Sequence, residues 1–246
     1  MAVNSPTVKR IAMWSGPRNI STAMMYSFDS RSDCYASDEP FYAHYLSATG
    51  IDHPVAATVI AEGETDRRAV ASHLSGDVPD GSRIWYQKHM CHHMIEGMNL
   101  DWLAGFSNCF LIRSPREVLL SLAKKTDAVD AWATGLPQQA RIVEAVETMG
   151  EEALIADSRD ILLDPKGMLT KVCEKLGIPF DESMLTWPAG PKDCDGIWAE
   201  HWYDAVWEST GFTPYREREG QLPPAHEKVL AEVQPIFDEL HARRLT

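Results

Sequence analysis

The sequence lacks the features that would place it in a membrane or a secretory route. No apolar run approaches the length needed to span a bilayer. The stretch Met1–Arg10 is polar and has no apolar h-region of the kind a signal peptide carries. Cysteine is sparse: Cys34, Cys91, Cys109, Cys173 and Cys194 are odd in number, widely scattered and form no CxxC pair. That usage suits a reducing, cytoplasmic setting. Positive charge is also scarce, with 23 Lys and Arg against 36 Asp and Glu and a net charge of −13. Such a balance argues against duplex nucleic acid and against an anionic membrane surface, where many phosphates must be neutralised. A small anionic ligand is compatible with it only where cations are gathered locally. There is no G-x-x-x-x-G-K-[ST] nucleotide loop, no internal repeat and no clear interdomain linker.

What is present is material for a core. The 246 residues are 44% hydrophobic and include eight tryptophans, enough for one large domain over residues 1–246. Short apolar runs alternate with helical patterns, which predicts an α/β fold with a mainly parallel central sheet flanked by helices. Strands are expected at Val8–Trp14, Cys34–Ser37, Ile84–Lys88, Cys109–Arg113 and Ala153–Asp157. Helices are expected at Ile20–Ser30, Pro115–Lys125, Pro137–Met149, Pro165–Leu176 and Pro223–Arg243. Ser114-Pro115 and Asp164-Pro165 read as an N-cap followed by a first-turn proline, and Gly177 stands where a helix should end. In the last helix, residues 223–246, an apolar stripe from Val229 to Leu240 reads as core packing. Residues 52–80 combine helical stretches with a polar, Gly/Asp-rich exit, and read as a lid over a site or as a surface insertion.

Two basic turns follow strands. Ser15-Gly16-Pro17-Arg18-Asn19 lies at a strand's carboxyl end, with Ser21 and Thr22 in the helical turn that follows. Free N–H groups there would cradle an anion, Arg18 would pair with it, and the hydroxyls would donate to it. An ordinary βα turn with good capping residues has the same composition. The second turn, Arg113-Ser-Pro-Arg-Glu, puts an arginine at the end of an apolar strand, where burial without an anionic partner is costly. Ser121 follows eight residues later, about two turns into the helix.

Here the chain resembles the family of sulfotransferases that use 3′-phosphoadenosine 5′-phosphosulfate (PAPS), as a divergent bacterial-type member. That family carries a P-[KR]-S-G-T-T loop for the 5′-phosphosulfate and an R-x-P-[RK]-x-x-x-x-S segment for the 3′-phosphate. Pro17-Arg18-Asn19-Ile20-Ser21-Thr22 and Arg113…Ser121 match them in order and spacing. Gly196-Ile-Trp198-Ala-Glu-His-Trp202, with Lys192 upstream, looks like the family's G-D-W-K-N-H-F. Asp160 to Phe180 is similar to its E-D-L-x-x-D-P…L-G-[IL]-P-[FY] pattern. The resemblance implies the P-loop NTPase-like sulfotransferase fold and PAPS as donor to a hydroxyl of a small molecule. It implies no metal, no nucleic acid and no membrane partner, and leaves a homodimer open. It assigns nucleotide binding to Gly16, Pro17, Arg18, Asn19, Ile20, Ser21, Thr22, Arg113, Ser121, Lys192, Gly196 and Trp198. Departures are specific: Ile20 replaces a loop glycine and should avoid positive φ, reshaping the cradle, and Asn19 replaces a serine.

Sulfuryl transfer needs a base and cations facing the leaving phosphate. Arg18 is the cation candidate. His89 ends the strand Arg83–His89 and matches the family's I-x-K-T-H if the histidines align. If the lysines align, Lys88 keeps its place and Met90 falls at the base position. Of these, His89 is the favoured base, because an ordinary imidazole is neutral near pH 7. Glu39, in Ser37-Asp-Glu-Pro-Phe41, resembles the carboxylate base of other branches. His89, His92, His93 and Glu96 also invite a metal reading, but no ligand set is complete. Trp198, Trp202, Tyr203 and Trp207 fit a core stripe, or second an acceptor-binding wall. Two other readings compete: phosphoryl transfer from a nucleoside triphosphate, and a nucleotide-binding module without catalysis.

Overall fold

The computed structural model describes residues 8–124 and 129–246. In chain order the elements are β1 (Lys9–Ser15), α1 (Ser21–Asp29), β2 (Cys34–Asp38), α2 (Tyr42–Thr49), α3 (Ala56–Glu62), α4 (Arg67–Ser75), β3 (Ile84–Met90), β4 (Ser107–Ile112), α5 (Pro115–Leu122), α6 (Ala131–Thr134), α7 (Leu136–Thr148), β5 (Ala153–Asp157), α8 (Ser158–Leu163), α9 (Pro165–Leu176), α10 (Asp204–Trp207) and α11 (Pro224–Ala242). The five strands form one sheet in the order β2-β3-β1-β4-β5, every pairing parallel.

Each predicted strand and each of the five predicted helices is present, shifted at its ends by a few residues. Of the helix predicted to Lys125, α5 ends at Leu122, and Lys125 lies outside the described residues. Strands of a parallel sheet are buried on both faces, so they read as near-continuous apolar runs. In β1, Ile11 and Met13 enter the core beneath α1 and α9. Ala12 and Trp14 enter the opposite core, beneath α4, α7 and α11. Of the three helix ends read from the sequence, two obey the expected local chemistry. Asp164 caps α9 through the Gly167 N–H at 3.0 Å, and Gly177 ends it at φ 68°. Ser114 makes no capping hydrogen bond, so α5 starts on its first-turn proline alone.

Residues 52–80 pack against the body of the domain. They supply α3 and α4, and α4 buries Val70 and Leu74 in the second core against Trp85 and its neighbours. Only His53, at the start of this segment, reaches the cleft described below.

The parallel sheet brings all strand carboxyl ends to one edge. β1 is central there, with β3 on one side and β4 on the other, the arrangement that opens a ligand crevice in such sheets. The turn after β1 is held by a close backbone approach: a Cβ on Gly16 would stand 2.2 Å from the Thr134 carbonyl oxygen. Gly16→Ala should therefore cost about 1–3 kcal/mol through forced backbone movement. Urea unfolding checks this, and a Gly16→Ala variant as stable as the native protein would contradict it.

Candidate active site

A cleft of about 1160 Å³ lies along this edge, from Pro17–Ala23 past Glu39 and Lys88 to the aromatic side chains of α2 and the 198–203 segment. At one end, the turn after β1 delivers α1 without a side-chain cap. The first N–H groups of a helix have no intrahelical partner, so those of α1 are available to an anion. Ser21 and Thr22 also line the cleft here. Ile20 keeps φ at −88°, and the left-handed residue of the turn is instead Arg18, at φ 59°. The departure from the glycine pattern is thus absorbed two residues upstream.

Three guanidinium groups converge on this end. Arg18 Nε donates to Ser121 Oγ at 3.0 Å. Arg113 donates to the Arg18 carbonyl at 3.0 Å and pairs with Glu117, with Nη2 at 2.7 Å and Nε at 2.8 Å from Oε2. Tyr215 donates to the other Glu117 oxygen at 2.7 Å. Arg218 comes from the same coil as Tyr215, and Arg18, Arg113 and Arg218 all line the cleft. Burial, and then Arg113, pushes the Arg18 pKa down. Arg218 is pushed down by burial, then by Arg113 and Arg18. Mutual repulsion of this kind is relieved by an anion, so the donor set fits a phosphate-bearing ligand.

In the middle of the cleft, Lys88 is 1% exposed and donates to Asp38 at 2.8 Å, Glu39 at 2.5 Å and the Tyr203 hydroxyl at 2.7 Å. Glu39 lines the cleft with φ at 43°, a conformation that costs a non-glycine residue energy and collects at functional sites. Burial raises its pKa, and Lys88 counters that in part. Beyond it, the His93 ring stacks between Tyr42, at 4.8 Å, and Tyr45, at 4.7 Å. His53 bonds the Tyr42 hydroxyl at 2.9 Å.

The expected site residues divide. Pro17, Arg18, Asn19, Ile20, Ser21, Thr22, Glu39, Lys88, Arg113 and Trp198 line the cleft. Gly16 and Ser121 stand behind it as supports. His89 does not reach it. Successive strand residues point to opposite faces, so Lys88 toward Glu39 puts His89 into the second core. There it stacks on Trp14 at 4.4 Å, with Phe41 and Trp102 within 6 Å. Lys88 and Met90, the two residues of the alignment on lysine, both line the cleft.

Lys192 also lies off the cleft, paired to Asp29 at 2.8 Å and placed over the Tyr26 ring. Gly196 gives its N–H to Asp38 and packs under Trp198, whose ring leaves no room for a Cβ. The four aromatic residues of 198–207 form no single stripe. Trp198 and Trp202 line the cleft, Tyr203 joins the Lys88 network, and the Trp207 indole N–H bonds Asp195.

Asp38, Glu117, Tyr215 and Arg218 escaped the sequence reading. The alternating charges of Arg216-Glu217-Arg218, in a coil without periodicity, have the signature of a solvated surface. Among the described residues no group of three His, Cys, Asp or Glu side chains is gathered as a metal site. No helix among them is long and apolar enough to cross a membrane.

Burial holds the pKa of His89 and His92 down to about 3 and that of His93 well below the ordinary value, with Lys88 adding to all three. Their unfolded values are about 6.5, so the unfolded chain binds more protons below that pH. The stability they contribute is complete above about pH 6.5 and is lost as pH falls toward 3. Each histidine should add about 1.4 kcal/mol per pH unit to that slope. The urea midpoint should drop steeply from pH 6.5 to 5, and less steeply in His92→Gln. A flat profile would contradict the burial of neutral imidazoles.

Residues 9–244 match the family model described as "Sulfotransferase domain". Two curated proteins of Arabidopsis thaliana, branched-chain-amino-acid aminotransferase-like proteins 1 and 2, are 34% identical over 235 residues and 32% over 228. The matches cover 94% and 93% of this chain but 41% and 40% of those proteins, so the chain spans about two fifths of their length. Similar solved structures include the sulfotransferase domain of the curacin biosynthetic pathway (TM-score 0.52, 13% identity, 92% of this chain and 98% of that one). A sulfotransferase from Alicyclobacillus acidocaldarius gives a TM-score of 0.54 at 13% identity, covering 97% of each chain. At that identity these structures speak to the fold, which is the parallel sheet and cleft just described. The family match over nearly the whole chain goes further: the chain belongs to the sulfotransferase domain family.

Proposed function

We propose that the protein transfers a sulfuryl group from PAPS to the hydroxyl of a small molecule. The observation that carries this reading is the convergence of Arg18, Arg113 and Arg218 on the uncapped N-terminus of α1, in a cleft that also holds Glu39. When bound, PAPS would supply the activated sulfuryl group and the phosphates that answer these cations. Arg18 and the first turn of α1 would hold the phosphosulfate end and stabilise charge growing on the leaving phosphate. Arg113 and Arg218 would hold the 3′-phosphate. Glu39 would take the proton of the acceptor hydroxyl, its carboxylate made more basic by burial. His89 has no part in this scheme.

The acceptor would lie against Tyr42, His53, His93, Trp198 and Trp202. Neutral imidazoles and aromatic rings there favour an uncharged molecule. All five cysteines are free, in keeping with a cytoplasmic setting.

Equilibrium binding of 3′,5′-ADP (the desulfated donor), compared with ATP, tests the donor class. Tight binding of 3′,5′-ADP over ATP is the expected result. Preference for ATP would favour phosphoryl transfer, and 3′,5′-ADP binding without turnover would leave a binding module. Arg113→Ala should lose about 1.5–3 kcal/mol of 3′,5′-ADP affinity and much less for 5′-AMP, which has no 3′-phosphate. Equal losses would restrict Arg113 to supporting the Arg18 carbonyl.

Steady-state kinetics on Glu39→Gln should show a fall in kcat of about 10²–10⁴-fold with nucleotide affinity preserved. His89→Phe, confined to the core beside Trp14, should keep most of its turnover. A dead, folded His89→Phe beside an active Glu39→Gln would reverse the assignment.

A further inference from the structure

Three groups crowd one buried ammonium, and they are not equivalent. Both Asp38 oxygens are occupied: Oδ1 by Lys88 Nζ at 2.8 Å, and Oδ2 by the Tyr203 hydroxyl at 2.8 Å and the Gly196 N–H at 3.1 Å. Tyr203 has a single proton, and with Lys88 Nζ donating to its oxygen at 2.7 Å, that proton goes to Asp38. Glu39 receives Lys88 at 2.5 Å on Oε1, and the Tyr203 hydroxyl also bears on its carboxylate. Its Oε2 is 3.8 Å from His93 Nε2, beyond hydrogen-bond distance. Asp38 is 1% exposed, whereas Glu39 is 11% exposed and lines the cleft.

We propose that Asp38, oriented by Tyr203, is the positioning residue that makes Glu39 a base, by taking up the charge of Lys88. The proposal rests on the sulfuryl-transfer reading for its chemistry. With both carboxylates ionised, the cluster of Lys88, Asp38 and Glu39 carries one net negative charge. In the transfer step the acceptor O–H bond breaks, its electron pair stays on the oxygen that attacks sulfur, and its proton forms an O–H bond on Glu39. The cluster thereby becomes neutral, which a low-dielectric site favours. Remove the Asp38 charge and the balance reverses. Lys88 and Glu39 would then form a neutral pair, and a proton arriving at Glu39 would strand a buried ammonium.

The other groups facing Glu39 do not supply this charge. His93, from the turn after β3, is neutral, and the Tyr42 hydroxyl of α2 is pushed up by burial and by Glu39. The Glu39 backbone is fixed independently, its N–H on the Lys88 carbonyl and its carbonyl accepting from Tyr42, both at 2.9 Å. Asp38 therefore acts on Glu39 by charge, directly and through Lys88, rather than through the chain.

The test is a carbon-13 NMR titration of the ligand-free full chain, labelled at glutamate and aspartate carboxyls, with the Glu39 signal identified by its loss in Glu39→Gln. In the native protein the Glu39 midpoint should lie above the ordinary glutamate range, as its burial and the Asp38 charge require. In Asp38→Asn the Glu39 midpoint should fall by at least about one pH unit, and in Lys88→Met it should rise. The acid limb of kcat should follow the same displacement in Asp38→Asn, with KM for the nucleotide nearly unchanged. A Glu39 midpoint that stays or rises in Asp38→Asn overturns the proposal, as does an ordinary Glu39 midpoint in the native protein. If Asp38→Asn does not fold, the native Glu39 midpoint and Lys88→Met decide. Failure of 3′,5′-ADP to bind, with the Glu39 titration as expected, would retire the sulfotransferase reading and leave the Asp38 assignment standing.

Discussion

A lysine ammonium with almost no exposure cannot exist alone in a protein interior, because removing the charge from water costs several kcal/mol. Lys88 meets that constraint with all three of its protons, and the meeting of its partners organises the site. Asp38 ends β2 and Glu39 follows it, Lys88 belongs to neighbouring β3, and Tyr203 arrives from a coil more than a hundred residues later. The parallel register brings Asp38 directly opposite Lys88. The Gly196 N–H on the same Asp38 ties the 192–203 coil to the sheet. One buried charge thus fixes the mouth of the cleft from three separate parts of the chain.

The anion end obeys the opposite logic. There the cations are in excess, with Glu117 the close carboxylate partner of Arg113 and with Tyr215 holding its second oxygen. Lys88 is satisfied inside the protein, whereas Arg18, Arg113 and Arg218 repel one another across the cleft. The end built around Lys88 is closed on itself, and the end built around the arginines is left short of negative charge. The two ends of one cleft therefore differ in what a ligand must bring.

Much of the fold was legible because parallel strands and their helices leave periodic marks. The carboxyl-end turns were legible for a similar reason. Arg18 and Arg113 stand at strand ends, and the spacing of Arg113 and Ser121 follows from two helical turns. The choice between Lys88 and His89 was not legible, since adjacent strand residues point to opposite faces and a one-residue change of register exchanges core for cleft. Lys192 misled because a basic residue near a motif says nothing of its partner, here Asp29 on α1. Asp38, Tyr215 and Arg218 gave no signal at all. Their roles come from contacts made across dozens of residues, by segments with no period of their own.

The strong negative charge of the chain is compatible with an arginine-lined cleft once distance is considered. At physiological ionic strength charges are screened over about 8 Å, so a ligand in the cleft responds to the groups that line it far more than to the total of −13. Screening is weakest where the walls are apolar, and the cleft has such walls in Ile20, Trp198 and Phe212. The surface acidity then favours solubility and turns polyanions away. An anion small enough to enter would meet Arg18, Arg113 and Arg218 beside the N-terminus of α1, whereas outside the cleft the net charge of −13 opposes its approach.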